Sequence, residues 1–134
     1  MMSNKELDNL VKIGQLKKEP SSQSEIATQI QSGRDRLQDA GAPGISLSGK
    51  FLLGYSAAYA FSLAALRKQG YRPANRYIVF QCLPHTMSVG TDTWRVLADA
   101  HDVRNGFEYE GSEEVTEDLS EQVIRCAKVL EKLS

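Results

Sequence analysis

The stretch from Phe51 to Gly70 constrains the fold of this chain most strongly, because it predicts a long helix that is apolar on most sides. It reads FLLGYSAAYAFSLAALRKQG. Helical spacing places one set of residues on a single face: Phe51, Tyr55, Ala58, Ser62 and Leu66. A helix with so little polar surface lies at the centre of a bundle, and Gly54 and the alanines would let neighbouring helices approach closely. Basic residues followed by Gly70 predict its end.

Two helices are predicted before this central one. Leu7, Leu10 and Val11 have the spacing of a short first helix, which the run KKEPSS then breaks. Ser22 and Glu25 form the pattern of a capping box. We therefore expect a second helix to run from this box to about Ala40, followed by a turn with the sequence DAGAPG.

Three helices are predicted after the connector YRPAN. The run RYIVFQCL could also form a strand by length, but no partner strand is predicted near it, so we expect a short buried helix ending near Pro84. A loop, PHTMSVGTD, leads into a fifth helix that opens at Trp94, and Thr116 is a suitable N-cap for the last helix. The prediction is an all-α fold, an up-down four-helix-type bundle with one or two extra short helices, forming a single domain over residues 1–134.

Composition limits the classes of function. The 134 residues fit one domain. The net charge is −1, so any nucleic-acid contact must come from a local basic patch rather than from the whole surface. Cys82 and Cys126 form no CxxC pair and are expected to be free thiols. With no recognisable signal peptide and no apolar run of membrane-spanning length, we expect a cytoplasmic protein that does not enter a membrane.

The segment from His101 to Gly111, HDVRNGFEYEG, contains a histidine, an arginine, an asparagine, a tyrosine and acidic residues within a short stretch. Spacings of three and four place His101, Arg104, Asn105 and Glu108 along one ledge of a helix. An arginine can hold phosphate oxygens, and a histidine can move protons near neutral pH. RNA cleavage without a metal needs a base for the 2′-hydroxyl, a cation for the charged phosphorane and an acid for the leaving oxygen, and this segment carries residues of all three kinds. The alternative is a solvated helix end on which Arg104 and Glu108 form a weak ion pair.

Three other patterns have the residue types of a metal or anion site. Cys82 and His85 have the spacing of half a zinc site, but no second pair with such spacing exists, so no metal and no cofactor is predicted. The segment SLSGK has a faint likeness to a phosphate-binding loop, but the full pattern GxxxxGK[ST] is missing and no strand is predicted before it. Four basic residues cluster around one turn and predict either a small anion-binding patch or a solvated helix end. They are Arg67, Lys68, Arg72 and Arg76.

The segments YSAAYAFSLAALRKQGYRP and RNGFEYEG, with the acidic turn that leads into LSEQVIRCAKVL, resemble the HEPN superfamily of small helical-bundle domains. The likeness covers roughly residues 5 to 133. It implies a homodimer in which the arginine motifs face each other across a cleft. It also implies binding or metal-independent cleavage of RNA, often as a toxin paired with a nucleotidyltransferase-type antitoxin. Other members bind nucleic acid or nucleotides without cutting.

In active members of the superfamily an arginine is followed, after four to six residues, by a histidine. Arg104 takes the arginine position here, and Asn105 matches the residue that often follows it. The histidine position falls on Tyr109, Glu110 or Gly111, none of which is histidine. A second interpretation uses Arg95 and His101, which also have this spacing, while His101 itself lies one helical turn before Arg104.

The resemblance assigns roles to residues of this chain. Arg104 would steady the phosphate, His101 or Tyr109 would transfer protons, and Asn105 would position the RNA backbone. Further substrate-binding candidates are Glu108, Tyr55 and Tyr59. The two tyrosines of the central helix are also expected to be core residues whose hydroxyls reach a polar partner or the dimer cleft. The alternatives are a catalytically degenerate module that binds nucleotides, nucleic acid or a protein partner, and a bundle without any ligand.

Overall fold

A computed structural model describes residues 5–106 and 115–134, and those ranges contain seven helices and a two-stranded sheet. In chain order the elements are α1 (Lys5–Lys12), β1 (Leu16–Lys18), α2 (Gln23–Ala40), α3 (Leu47–Lys68), β2 (Tyr71–Pro73), α4 (Arg76–Gln81), α5 (Leu83–Thr86), α6 (Thr91–Asn105) and α7 (Glu117–Leu133). The predicted all-α bundle is confirmed. Four helices are long, and α1, α4 and α5 are short, which is one short helix more than predicted. None of the described helices has the length and hydropathy needed to cross a membrane.

Helix α3 is the centre of the bundle, as its apolar surface predicts. It packs against α2 and α7 and also contacts α4, α5 and α6. All five residues of its predicted apolar face are buried. Gly54 allows the close approach expected of it, because a Cβ atom there would lie 2.9 Å from Cγ1 of Ile124 on α7. Gly33 does the same for α2, since its Cβ would lie 2.6 Å from the ring of Phe61.

Side-chain contacts give the directions of the long helices. The early part of α2 lies beside the end of α3, where Glu25 meets Arg67, so these two helices run antiparallel. Helices α3 and α7 lie side by side and run parallel. Gly54 meets Ile124 early in both helices, whereas Ala64 and Leu133 line a common pocket near the ends of both.

The helix ends carry the predicted capping residues. The Ser22 hydroxyl accepts a hydrogen bond from the backbone N–H of Glu25 at 3.0 Å, at the start of α2. The Thr116 hydroxyl accepts one from Leu119 N–H at 3.1 Å, at the start of α7. Gly70 follows α3 with φ of +89°, a left-handed conformation that glycine adopts without strain.

A small antiparallel sheet was missed by the sequence prediction, which assigned KKEPSS to a helix-breaking segment and YRPAN to a connector. Strand β1 pairs with β2, with Leu16 opposite Pro73 and Lys18 opposite Tyr71. Each strand has three residues, too few to show an alternating pattern, and the partners are far apart in the sequence. The sheet packs with α1 and the end of α3 in a second core cluster that includes Leu7 and Leu66.

The segment around Pro84 also differs from the prediction. Helix α4 ends at Gln81, and Pro84 lies in the first turn of α5 rather than at the end of a helix. A proline fits there because the first N–H groups of a helix have no partner within that helix. Part of the predicted loop PHTMSVGTD is therefore helical. This short turn of helix lets the chain pass from α4 to α6 while Leu83 stays buried.

Candidate functional site

The polar ledge predicted on α6 meets the central helix at Tyr55. The Tyr55 side chain is 1% exposed, and its ring packs against Phe80 with centroids 5.6 Å apart. Its hydroxyl reaches across to α6, where it lies 3.0 Å from Nδ1 of His101. The buried face of α3 and the polar ledge of α6 are therefore joined by a hydrogen bond between side chains distant in the sequence.

A chain of hydrogen bonds continues from His101 along α6. Asn105 Nδ2 lies 3.1 Å from His101 Nε2, and Arg104 Nη1 donates to Asn105 Oδ1 at 3.4 Å. A guanidinium can only donate, so the amide oxygen faces Arg104 and the amide N–H faces His101. Nε2 of His101 must then accept, which leaves the proton of the neutral imidazole on Nδ1. Nδ1–H accordingly donates to the hydroxyl oxygen of Tyr55.

The electrostatic surroundings favour the neutral imidazole that this arrangement requires. Partial burial lowers the pKa of His101 below its usual value, and the nearby charges of Arg104 and Arg76 add to this effect, while Asp102 opposes it. A protonated ring would also point a second N–H at the amide N–H of Asn105. Burial raises the pKa of Tyr55, against the positive charges of Arg76 and Arg104. Both shifts favour the uncharged form of the side chain concerned.

Helix α4 adds two side chains that the sequence did not assign to this place. The guanidinium carbon of Arg76 lies 4.5 Å from the centroid of the Tyr59 ring, a cation–π arrangement. Tyr77, the next residue, is 39% exposed, and its ring centroid lies 6.0 Å from that of His101. Arg76 could be found from the sequence as a member of the predicted basic cluster, whereas no sequence pattern indicated Tyr77.

These contacts bring together side chains of three helices, which we call the Tyr–Arg cluster. Its members are Tyr55, Tyr59, Arg76, Tyr77, His101, Arg104 and Asn105. Arg104 approaches the face of Tyr55, with its guanidinium carbon 5.6 Å from the ring centroid. The candidates Glu108 and Tyr109 lie outside the described residues, as do Glu110 and Gly111. Five of the seven candidate residues chosen from the sequence are therefore described, and all five belong to the cluster.

The predicted basic cluster does not form a shared anion-binding patch, and it is only in part a solvated helix end, because one of its four members is buried while the other three are exposed. Arg67 is buried and binds both carboxylate oxygens of Glu25, at 3.0 and 3.3 Å. Arg72 is exposed and pairs with Glu19 at 3.4 Å. The sequence could not separate the buried arginine from the exposed ones, because proximity along the chain does not determine where side chains point. Arg76 alone of these arginines joins the Tyr–Arg cluster.

The remaining sequence candidates lie elsewhere. Cys82 is fully buried, and this burial raises the pKa of its thiol to about 11. Within residues 5–106 and 115–134, no three His, Cys, Asp or Glu side chains group as metal ligands would. Arg95, the arginine of the second interpretation, is exposed on α6 and makes none of the contacts that define the cluster.

No protein-family model and no curated protein matches this chain.

Proposed function

We propose that this chain binds RNA at the Tyr–Arg cluster. The observation that carries the proposal is the convergence of two guanidinium groups, Arg76 from α4 and Arg104 from α6, on neighbouring tyrosines of α3. Arginine holds phosphate oxygens through its fork of donors, and aromatic side chains offer faces to bases. The resemblance to the HEPN superfamily supports RNA as the class of polyanion.

Arg76 is suited to contact a phosphate. Its guanidinium lies over the Tyr59 ring. Within residues 5–106 and 115–134, no carboxylate forms a salt bridge with Arg76. A cation above an aromatic face keeps N–H groups at its edges, which can donate to an anionic oxygen. Because the whole chain has a net charge of −1, such a local group has to supply the attraction.

The proposal predicts a defined loss of affinity in single variants. Binding of a fluorescently labelled single-stranded RNA would be measured by anisotropy at several salt concentrations. Arg76→Ala and Arg104→Ala should each weaken binding by about 1–3 kcal/mol, roughly 5- to 150-fold. Each phosphate contact contributes about 0.7 to the slope of log affinity against log salt for a single strand, so each variant should lose about that much slope.

Arg95→Ala is the matched control, because Arg95 is an exposed arginine on the same helix as Arg104. It should bind RNA within about twofold of the unmodified protein. Loss of binding in Arg95→Ala with normal binding in Arg104→Ala would instead support the motif interpretation built on Arg95 and His101. An absence of RNA binding by the unmodified protein would refute the proposal.

Metal-independent RNA cleavage is a second candidate, supported by the neutral imidazole beside Arg104. In this reaction a base takes the proton of a ribose 2′-hydroxyl, whose oxygen attacks the phosphorus. The bond to the 5′-oxygen breaks, and an acid protonates that oxygen, leaving a 2′,3′-cyclic phosphate and a 5′-hydroxyl. Because Asn105 occupies the lone pair on Nε2 of His101, the amide would have to move before His101 acts as the base.

Cleavage would be tested with pure protein and labelled RNA in the presence of EDTA. Loss of product in both His101→Ala and Arg104→Ala, with activity retained in Arg95→Ala, would support the nuclease. Tyr109→Phe tests the other proton donor named from the sequence. RNA binding without any product would favour the alternative, a catalytically degenerate binding module.

Two partners follow from the resemblance and belong to the same proposal. One is a second copy of this chain, which light scattering on the pure protein would detect as a doubled mass. The other is a nucleotidyltransferase-type antitoxin, for which a neighbouring gene and co-purification of the two proteins are the tests. A monomer that binds neither RNA nor such a partner would favour the bundle without a ligand.

A further inference from the structure

We infer that Tyr77 stacks on an unpaired base of the bound RNA and supplies affinity that depends on that base. This inference rests on the proposed function. Tyr77 is 39% exposed and is the only exposed aromatic side chain within residues 5–106 and 115–134. It stands next to Arg76, and its ring lies 6.0 Å from the imidazole of His101.

The local sequence of α4 explains why this ring faces outward. The Asn75 side chain caps the helix by accepting from Ile78 N–H at 3.0 Å. The next three positions, Ile78, Val79 and Phe80, are buried in the bundle. Residues four apart share a face of a helix, and Tyr77 lies four residues before Gln81, which is also exposed. Arg76, at the first position of the helix, is exposed as well, so the two side chains are presented together at the edge of the Tyr–Arg cluster.

Position distinguishes Tyr77 from the other exposed apolar side chains. Single exposed apolar residues are common and need no explanation. Ile13, Leu47, Val129 and Leu133 are of this kind. Tyr77 instead follows a guanidinium that can hold a phosphate and tilts over a partly buried imidazole. A base that stacks on Tyr77 would belong to a nucleotide whose phosphate lies within reach of Arg76.

Stacking and phosphate binding can be separated by the response to salt. A stacked base releases no counterions, whereas a phosphate contact does. Tyr77→Ala should weaken binding of single-stranded RNA by about 5- to 150-fold, the range for loss of one stacked base. It should leave the salt slope unchanged, while Arg76→Ala should reduce that slope. Tyr77→Phe keeps the aromatic face and should bind within about twofold of the unmodified protein.

Two controls complete the experiment. Ile13→Ala removes another exposed apolar side chain and should leave RNA affinity unchanged. A duplex of the same sequence hides the faces of its bases, so its affinity should be equal in Tyr77→Ala and the unmodified protein. Thermal melting confirms that each variant is folded at the assay temperature.

The outcomes separate this inference from the proposed function. Normal RNA affinity in Tyr77→Ala, with weakened binding in Arg76→Ala and Arg104→Ala, would overturn the role of Tyr77 alone. A loss of salt slope in Tyr77→Ala would also overturn it, because the side chain would then be supporting phosphate contacts. If neither arginine variant weakens binding, the proposed function itself fails, whatever Tyr77→Ala shows.

Discussion

Replacing Arg67 with alanine should destabilise this protein far more than replacing its neighbour Arg72. The Arg67 side chain is 8% exposed, whereas that of Arg72 is 64% exposed. The Arg67 guanidinium donates to both oxygens of Glu25. It also donates to backbone carbonyls of three residues, at 3.1, 3.1 and 3.2 Å. These are Glu19, Pro20 and Tyr71.

The magnitude follows from what the substitution leaves behind. Removing one partner of a buried ion pair costs about 3–5 kcal/mol, because the groups that it served lose their hydrogen bonds. The Glu25 side chain is 40% exposed and can take up water, so the lower end applies, and the carbonyls of the β1–α2 segment contribute most of the loss. We expect about 3 kcal/mol for Arg67→Ala. The exposed pair of Arg72 with Glu19 is worth at most about 1 kcal/mol.

Urea unfolding followed by circular dichroism would measure both variants. Arg67→Ala should lower the free energy of unfolding by about 3 kcal/mol without a large change in the dependence on urea, and Arg72→Ala by less than about 1 kcal/mol. Arg67→Lys restores a charge but not the planar fork, so it should recover only part of the loss. Equal losses in Arg67→Ala and Arg72→Ala would refute the view that Arg67 ties α2 and β2 to the end of α3.

Two further predictions concern packing and protonation. Gly33→Ala should lower the free energy of unfolding by about 1–3 kcal/mol, because its Cβ would meet the buried Phe61 ring. Gly41→Ala is the control in the same urea assay, because its Cβ would meet only Gln38 O, at the ordinary contact distance of 3.5 Å. Because the pKa of His101 is lowered in the folded protein, this histidine contributes to the free energy of unfolding fully above the usual histidine pKa. As the pH falls below that value the contribution is increasingly lost, since the unfolded chain binds a proton more readily than the folded one. Nitrogen NMR should show the neutral ring protonated on Nδ1, and a proton on Nε2 would contradict the hydrogen-bond order from Arg104 to Tyr55.

Local patterns were enough to predict the long helices and three of the seven residues of the Tyr–Arg cluster. The apolar face of α3 and the caps at Ser22 and Thr116 depend on residues close together in the sequence, so their spacing predicts them. The same holds for the ledge on α6, where His101 and Asn105 are one turn apart and hydrogen-bond to each other. The sequence predicts that the Tyr55 hydroxyl reaches a polar partner or the dimer cleft, and the structure identifies His101 as a polar partner.

The rest depends on contacts between distant segments. The β1–β2 pair joins strands of three residues from opposite sides of α2 and α3, and nothing local in either strand indicates its partner. Arg67 belongs to the core because a loop folds back over it. Arg76 and Tyr77 join the candidate site only because α4 packs against α3 and α6. Sequence spacing cannot supply such a placement.

The most direct test of the proposed RNA site compares two double variants that carry the same charge. Arg76→Ala with Arg104→Ala removes both guanidiniums of the Tyr–Arg cluster, and Arg34→Ala with Arg95→Ala removes two exposed ones outside it. Each pair changes the net charge from −1 to −3, since two positive charges are lost. We predict that the first pair weakens RNA binding at least about 25-fold, the product of two losses of about fivefold, and that the second pair stays within about twofold. Equal losses in the two double variants would show that overall charge, and not this cluster, determines RNA affinity.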